Sequence, residues 1–145
     1  MSICGGHLKR FPAAERAAAA VEFALILPVF LALLFGIVVF GGYFAVIHSV
    51  QQIAAEAARA AIAGLSNAER TALATSNIKV NAPAYPLLAP ARLKLVSAAT
   101  DASGNTFTVT VSYDASDMFI FSLPAIVPMP SALIVRSAAI QRGGY

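Results

Sequence analysis

Residues 17–47, which read AAAAVEFALILPVFLALLFGIVVFGGYFAVI, decide the fold of this chain. From Phe23 to Ile47 the segment carries no charged residue. At a helical rise of about 1.5 Å per residue, these uncharged residues alone would extend roughly 37 Å. That length exceeds the hydrocarbon core of about 30 Å and leaves room for tilt. The segment therefore predicts one transmembrane helix over residues 18–47.

The charges on either side of this segment indicate its orientation. Three basic residues precede it: Lys9, Arg10 and Arg16. The first charges beyond it, Glu56 and Arg59, offset each other. Because basic residues concentrate on the cytoplasmic side, we expect a cytoplasmic N-terminus and a C-terminal domain across the membrane. A cleaved secretory signal peptide is the competing interpretation, but its apolar region of about 7–15 residues would be shorter than this one.

The leader before the apolar segment offers no clear site. Residues 1–16 contain glycine and proline and lack helical periodicity, which predicts an unstructured tail. Cys4 and His7 are residue types that bind metals, but two ligands do not complete a site. Cys4 is also the only cysteine, so the domain beyond the membrane can form no internal disulfide.

A helix should begin at Ala17 and persist well past the membrane. Pro28 removes one backbone hydrogen bond inside it, which predicts a kink near residues 24–28. The segment also holds three glycines, Gly36, Gly41 and Gly42. They would let another membrane helix approach closely, but small residues are common in any span, and both interpretations stay open.

Beyond the membrane the same helix becomes amphipathic. One side carries a polar stripe of Gln52, Glu56 and Arg59. The opposite side is apolar and comprises Val50, Ile53, Ala54, Ala57, Ala61 and Leu65. This spacing predicts that the half over about 48–63 packs against a domain, with Gly64 as the stop.

The remaining residues predict a short helix and a small sheet. Ser66 and Glu69 form a capping box for a helix over about 67–76. Prolines at 83, 86 and 90 then favour an irregular connection. Three strands are expected over 92–99, 106–113 and 132–140, with turn residues at 101–105 and a proline-rich loop over 117–130.

The strand over 106–113 alternates most clearly. Its apolar face comprises Phe107, Val109, Val111 and Tyr113. That face has to be covered, and the amphipathic half of the long helix is the obvious cover. The predicted fold class is therefore α+β: one long N-terminal helix packed on a small antiparallel sheet, with a short second helix.

No constellation for chemistry is evident in the sequence. The two histidines, His7 and His48, fall near opposite ends of the span. Asp114 and Asp117 could suggest a cation site, but two acids near a strand end more often form a solvated loop. We expect no enzyme activity, no cofactor, no metal, no nucleic acid and no small-molecule substrate.

Glu22 is the unusual residue, because an acid at the edge of a membrane span is costly unless it is paired or stays at the interface. One interpretation is a charge that the dipole of the first helical turns favours. The other is a carboxylate that pairs with another group.

The string from Arg16 to Phe23, RAAAAVEF, with the following ALILPVFLALLFGIV, resembles the N-terminal signature of TadE-like proteins. These are pilin-like subunits of the tight-adherence (Tad, or Flp-type) pilus, and they resemble type IV prepilins. The resemblance implies cleavage between Ala17 and Ala18, five residues before Glu22. Ala17 departs from the glycine that the family usually has there.

The resemblance also implies roles for residues inside the helix. Glu22 and Phe23 would pair subunits, with Phe23 standing where major pilins often carry tyrosine, and Pro28 fits the family's LxLP pattern. The domains implied are a leader over 1–17, cleaved by a membrane aspartic prepilin peptidase, a span over 18–47 and a periplasmic domain over 48–145.

The function implied is that of a minor pseudopilin or assembly subunit in the bacterial inner membrane or the extracellular pilus, serving pilus biogenesis, adhesion and secretion. Its partners would be other pilin-like subunits and the Tad assembly platform. The alternative is an uncleaved, signal-anchored periplasmic binding module without a pilus role. A membrane-tethered enzyme has little support. Whether the cell shortens the chain between Ala17 and Ala18 distinguishes the first two.

Overall fold

The computed structural model describes residues 11–123 and 129–141, with side chains from Glu15 onward. Cys4, His7 and part of the predicted loop over 117–130 lie outside the described residues. Two helices, α1 (Phe11–Ala60) and α2 (Asn67–Asn81), precede three strands, β1 (Leu93–Thr100), β2 (Thr106–Asp114) and β3 (Leu133–Gln141). Four short 3-10 turns lie between them, at Ala61–Ala63, Ala82–Ala84, Pro90–Arg92 and Phe119–Ser122. The predicted α+β fold class is confirmed.

Helix α1 begins at Phe11 rather than at Ala17, and that expectation was wrong. Residues 13–20 are alanine, glutamate and arginine, which are strong helix formers without any apolar periodicity. Pro12 stands in the first turn, where the missing N–H has no helical partner to lose. The helix continues as one element past Pro28, and the kink there stays a prediction.

The chain divides into two compact units, residues 1–38 and 39–145. In the first unit, every described side chain from Glu15 to Val38 is exposed except Leu27 and Gly36, which are half-buried. Residues 15–38 thus form a helix whose apolar side chains are not covered by other described residues of this unit.

The second unit has a single hydrophobic core. The second half of α1 contributes a row of buried residues: Tyr43, Val46, Val50, Ile53, Ala54, Ala57, Ala58 and Ala61. The sheet contributes Phe107, Val109, Val111 and Tyr113, all in the same cluster. The predicted cover of the sheet by α1 is therefore confirmed. Burial in this unit begins at Tyr43, inside the apolar segment that the sequence assigned to the span.

The end of α1 differs from the expectation in detail. The α-helix stops at Ala60, and Ala61–Ala63 form a 3-10 turn. The helical phase is therefore lost before Leu65, which is 89% exposed rather than on the apolar face. Gly64 has an extended backbone, with φ −75°, and an added Cβ would lie 2.8 Å from the backbone nitrogen of Arg70. Glycine is required here because the chain passes close to Arg70, not because the backbone adopts a left-handed conformation.

Helix α2 starts with the predicted cap. Ser66 Oγ accepts a hydrogen bond from Glu69 N at 3.1 Å, and Glu69 Oε2 accepts one from Leu65 N at 2.8 Å. The helix runs to Asn81 rather than to 76, so the predicted end was too early. Ile78 is buried in the core, and this apolar contact extends the helix beyond the polar residues that suggested its end.

The sheet is antiparallel, in the order β1-β2-β3, and its strands lie within one residue of the predicted ends at most positions. Leu95 pairs with Val111 while Ser97 pairs with Thr110, so Val96 forms a bulge. The bulge shifts the inward positions of β1 from odd to even numbers, which explains why its sequence alternates only weakly. The β1–β2 turn closes with a hydrogen bond from Asp101 N to Thr106 O at 2.8 Å.

Candidate functional site

The residues that the sequence selected for function all lie on the exposed part of α1. Ala17 and Ala18 are exposed, and the peptide bond between them belongs to the helix. Ala18 and Glu22 are one turn apart, about 6 Å along the axis. The structure thus brings the predicted processing site and the predicted pairing acid onto adjacent turns of one helix.

Glu22 has no partner among the side chains that the structure describes. Its carboxylate is exposed and makes no hydrogen bond or ion pair with residues 15–123 or 129–141. Since α1 begins at Phe11, Glu22 lies about three turns inside the helix, beyond the first turn in which the helix dipole favours an acid. In the full-length chain, the dipole interpretation therefore loses its basis. It would regain one only if cleavage made Ala18 the first residue.

An apolar surface surrounds this acid. Phe23 is 64% exposed, and it begins a run of exposed large apolar residues that continues to Val38. Among the described residues, one helix is long and apolar enough to cross a membrane, within Glu15–Ala63, and none of its most apolar window is buried. The helix therefore indicates membrane anchoring. An added Cβ on Gly36 would meet no atom, so contacts within the described chain do not require a small residue there.

The two acids near the end of β2 bond to groups of the chain itself. Asp117 forms an ion pair with Arg92, whose Nη1 also lies 3.3 Å from Ser116 Oγ. Asp114 Oδ1 accepts a hydrogen bond from Ser116 N at 3.0 Å, which lowers the pKa of that carboxyl group. Within the described residues no group of three or more metal-ligating side chains is present. The acids instead border a small open cavity of about 190 Å³ beside Arg92.

The polar stripe on α1 has a structural role that the sequence did not reveal. Tyr85 donates to Glu56 Oε1 at 2.9 Å, and Gln52 donates to the same oxygen at 3.4 Å. Burial, together with the bond to Glu56, raises the pKa of Tyr85 to about 12, so its hydroxyl stays a donor at neutral pH. The hydrogen bond between Tyr85 and Glu56 therefore links the segment that follows α2 to α1. No local pattern in the sequence indicated Tyr85, because the contact joins residues 29 positions apart.

Comparison with known proteins bears on helix α1. The family model described as TadE-like protein matches residues 17–59. The match covers the candidate processing site, Glu22, Phe23 and the exposed apolar helix, and it confirms the resemblance noted for the residues of this segment. No curated protein and no solved structure matches the chain. The family match and the apolar helix together indicate a membrane-anchored protein that is similar to TadE-like proteins over residues 17–59.

Proposed function

We propose that this chain, whose N-terminal 17–59 segment matches the TadE-like proteins, is a minor pseudopilin or assembly subunit of a Tad pilus. Its role is structural rather than catalytic. A prepilin peptidase removes residues 1–17, and the mature chain takes part in pilus biogenesis and the adhesion and secretion that depend on it.

The single observation that carries this proposal is an acid in the exposed apolar helix that has no partner among the described residues. Glu22 lies among apolar side chains that have no cover within their unit. A carboxylate in such surroundings is stable only if a partner neutralises it or water reaches it. A helix of another pilin-like subunit would cover the apolar surface, and its cationic group would neutralise the acid.

The topology follows from the charges at the two ends of the helix. Lys9, Arg10 and Arg16 precede the apolar segment and favour a cytoplasmic leader. The unit over 39–145 would then lie in the periplasm, where it meets other pilin-like subunits and the Tad assembly platform. The leader would face a peptidase whose active site is at the cytoplasmic side of the membrane.

Replacing Ala17 with leucine should block maturation. A bulky side chain directly before the scissile bond would not fit a peptidase subsite that accepts glycine or alanine. We expect the uncut fraction in the native host to rise at least tenfold, measured by intact mass and N-terminal analysis. Ala20→Leu makes the same substitution after the bond and should leave processing close to that of the wild type.

Equal processing of the Ala17→Leu and wild-type chains would overturn this assignment of the site. A wild-type chain that kept its full leader in the native host would instead favour the signal-anchored binding module.

A further inference from the structure

Two hydrogen bonds show which backbone groups of β3 face its outer edge. In an antiparallel pair, the N–H and C=O of one residue point to the same side, and successive residues alternate. Ala132 O accepts from Ala115 N, in register with β2, so even-numbered residues point toward β2. Ser137 and Thr110 have their hydroxyl oxygens 2.9 Å apart, as expected where an opposing pair lacks backbone bonds. Odd-numbered residues of β3 therefore direct their backbone groups away from the sheet.

Side chains of α1 donate to two carbonyls along this edge, one just before β3 and one within it. Tyr43 Oη donates to Ser131 O at 2.8 Å. Two turns further along the helix, Gln51 Nε2 donates to Ser137 O at 3.1 Å. Both donors come from the part of α1 that packs in the same unit as the sheet, so they reach the edge from an element that is already fixed.

The two carbonyls between them are occupied by side chains of the β3 segment itself. Ser131 Oγ donates to Leu133 O at 3.0 Å, and Arg136 Nη1 donates to Val135 O at 2.9 Å. Four successive outward carbonyls thus each accept a bond from a side chain. We call the donors, Tyr43, Gln51, Ser131 and Arg136, the edge caps.

The opposite edge of the sheet is covered differently. Helix α2 lies beside β1, where Thr71 Oγ1 is 3.3 Å from Ala98 O and Thr100 Oγ1 donates to Asn67 Oδ1 at 2.5 Å. No strand and no helix pairs with the outer side of β3 within residues 11–123 and 129–141. Side chains alone therefore protect that edge, and such edges are where sheets of two molecules join.

The partner that this edge would accept is the same strand of a second copy. An antiparallel pair centred on Ser137 sets Val135 opposite Ala139 and Leu133 opposite Gln141. Arg136 would face Ala138, so the pairing brings no like charges directly together. Leu133 and Val135 are 57% and 44% exposed, and the pairing would bury them.

We propose that the edge caps keep the β3 edge closed and thereby prevent two copies of this chain from joining through β3. Copies confined to one membrane meet often, and pairing of their sheets would compete with any other contact. Each cap already donates to a carbonyl of this edge, so the caps compete with the N–H groups that a second strand would bring. This proposal does not depend on the role of the chain in the pilus.

Removing two caps should open the edge. We would compare the full-length chain in detergent with the double variant Gln51→Leu, Arg136→Thr by analytical ultracentrifugation. The dissociation constant of the dimer should fall about tenfold, as expected when roughly 1.4 kcal/mol of competing hydrogen bonding is lost. Hydrogen exchange should also slow at the outward amides of Val135 and Ala139, which a general change in association would not affect.

The matched control is Gln52→Leu with Lys94→Thr. Gln52 is the neighbouring glutamine on α1 but donates to Glu56, and Lys94 is an exposed cation on the covered strand β1. Unchanged association, or a rise equal to that of the control, would overturn the proposal. If the double variant lost protection at the inward amides of β3, the milder pair Tyr43→Phe, Gln51→Ala would decide by the same two measurements.

Discussion

Val109→Asp is expected to unfold the unit formed by residues 39–145. Val109 is fully buried on β2, the central strand, and faces the core that α1 covers. The substitution would bury a carboxyl group without a partner and remove apolar contacts, at an expected cost of about 3–5 kcal/mol. Small domains are stable by only about 5–15 kcal/mol, and a unit this small, at the lower end of that range, would no longer be stably folded.

Hydrogen exchange of the β2 and β3 amides in the full-length chain measures this loss of stability directly. A helix-based signal would hide the change, because α1 would stay helical in detergent. Thr108→Asp is the control: it adds the same charge one residue earlier, on the half-exposed outer face. We expect Thr108→Asp to keep sheet protection within about tenfold of the wild type. Retained protection in Val109→Asp would contradict the packing of α1 on this face.

Periodicity in the sequence predicted the parts of the fold that each depend on one element. The alternation from Phe107 to Tyr113 gave both the strand and its buried face. The capping residues Ser66 and Glu69 gave the start of α2. These patterns are local, and the packing that follows from them is the only way to remove their apolar side chains from water.

The expectations that failed concern features of two kinds. Some depend on contacts between distant residues, and others on helix propensity in a segment that has no apolar periodicity. The alanines before Glu22 carry no periodicity, so the start of α1 at Phe11 was missed. Residues from Tyr43 to Ile47 are apolar in a membrane and in a protein core alike, and composition could not show that Tyr43 is bound to Ser131. The bulge at Val96 likewise depends on the register with β2.

The same limit applies to the candidate site. Sequence placed Glu22 near a helix start, where a dipole could explain it. The structure places it inside a longer helix, without a partner among the residues that the structure describes. The edge caps, by contrast, could not be predicted at all. Gln51 and Ser137 lie 86 positions apart, and only the folded register brings the amide to the carbonyl.

Glu22→Gln is expected to impair incorporation of this chain into the pilus or its assembly complex while leaving insertion and cleavage largely intact. Cleavage before Ala18 would create an amine one helical turn from Glu22. Within one subunit these groups could neutralise each other locally. Between subunits, the carboxylate of one chain could meet the amine of a neighbour, and such a pair among apolar helices would set the axial register of the two subunits.

Glutamine keeps the size and helix propensity of glutamate but removes the charge, so it separates the pairing role from a role in helix formation. We expect recovery of partner subunits in a pull-down, and the count of surface pili, to fall about tenfold, because an amide cannot neutralise the buried amine of a neighbour. Glu15→Gln is the matched control, since Glu15 is exposed on the same helix but belongs to the leader that the proposed cleavage would remove. Normal partner recovery and normal piliation with Glu22→Gln would mean that the acid acts only as a charge near the end of the mature helix, and that another feature of the exposed apolar surface selects the partner.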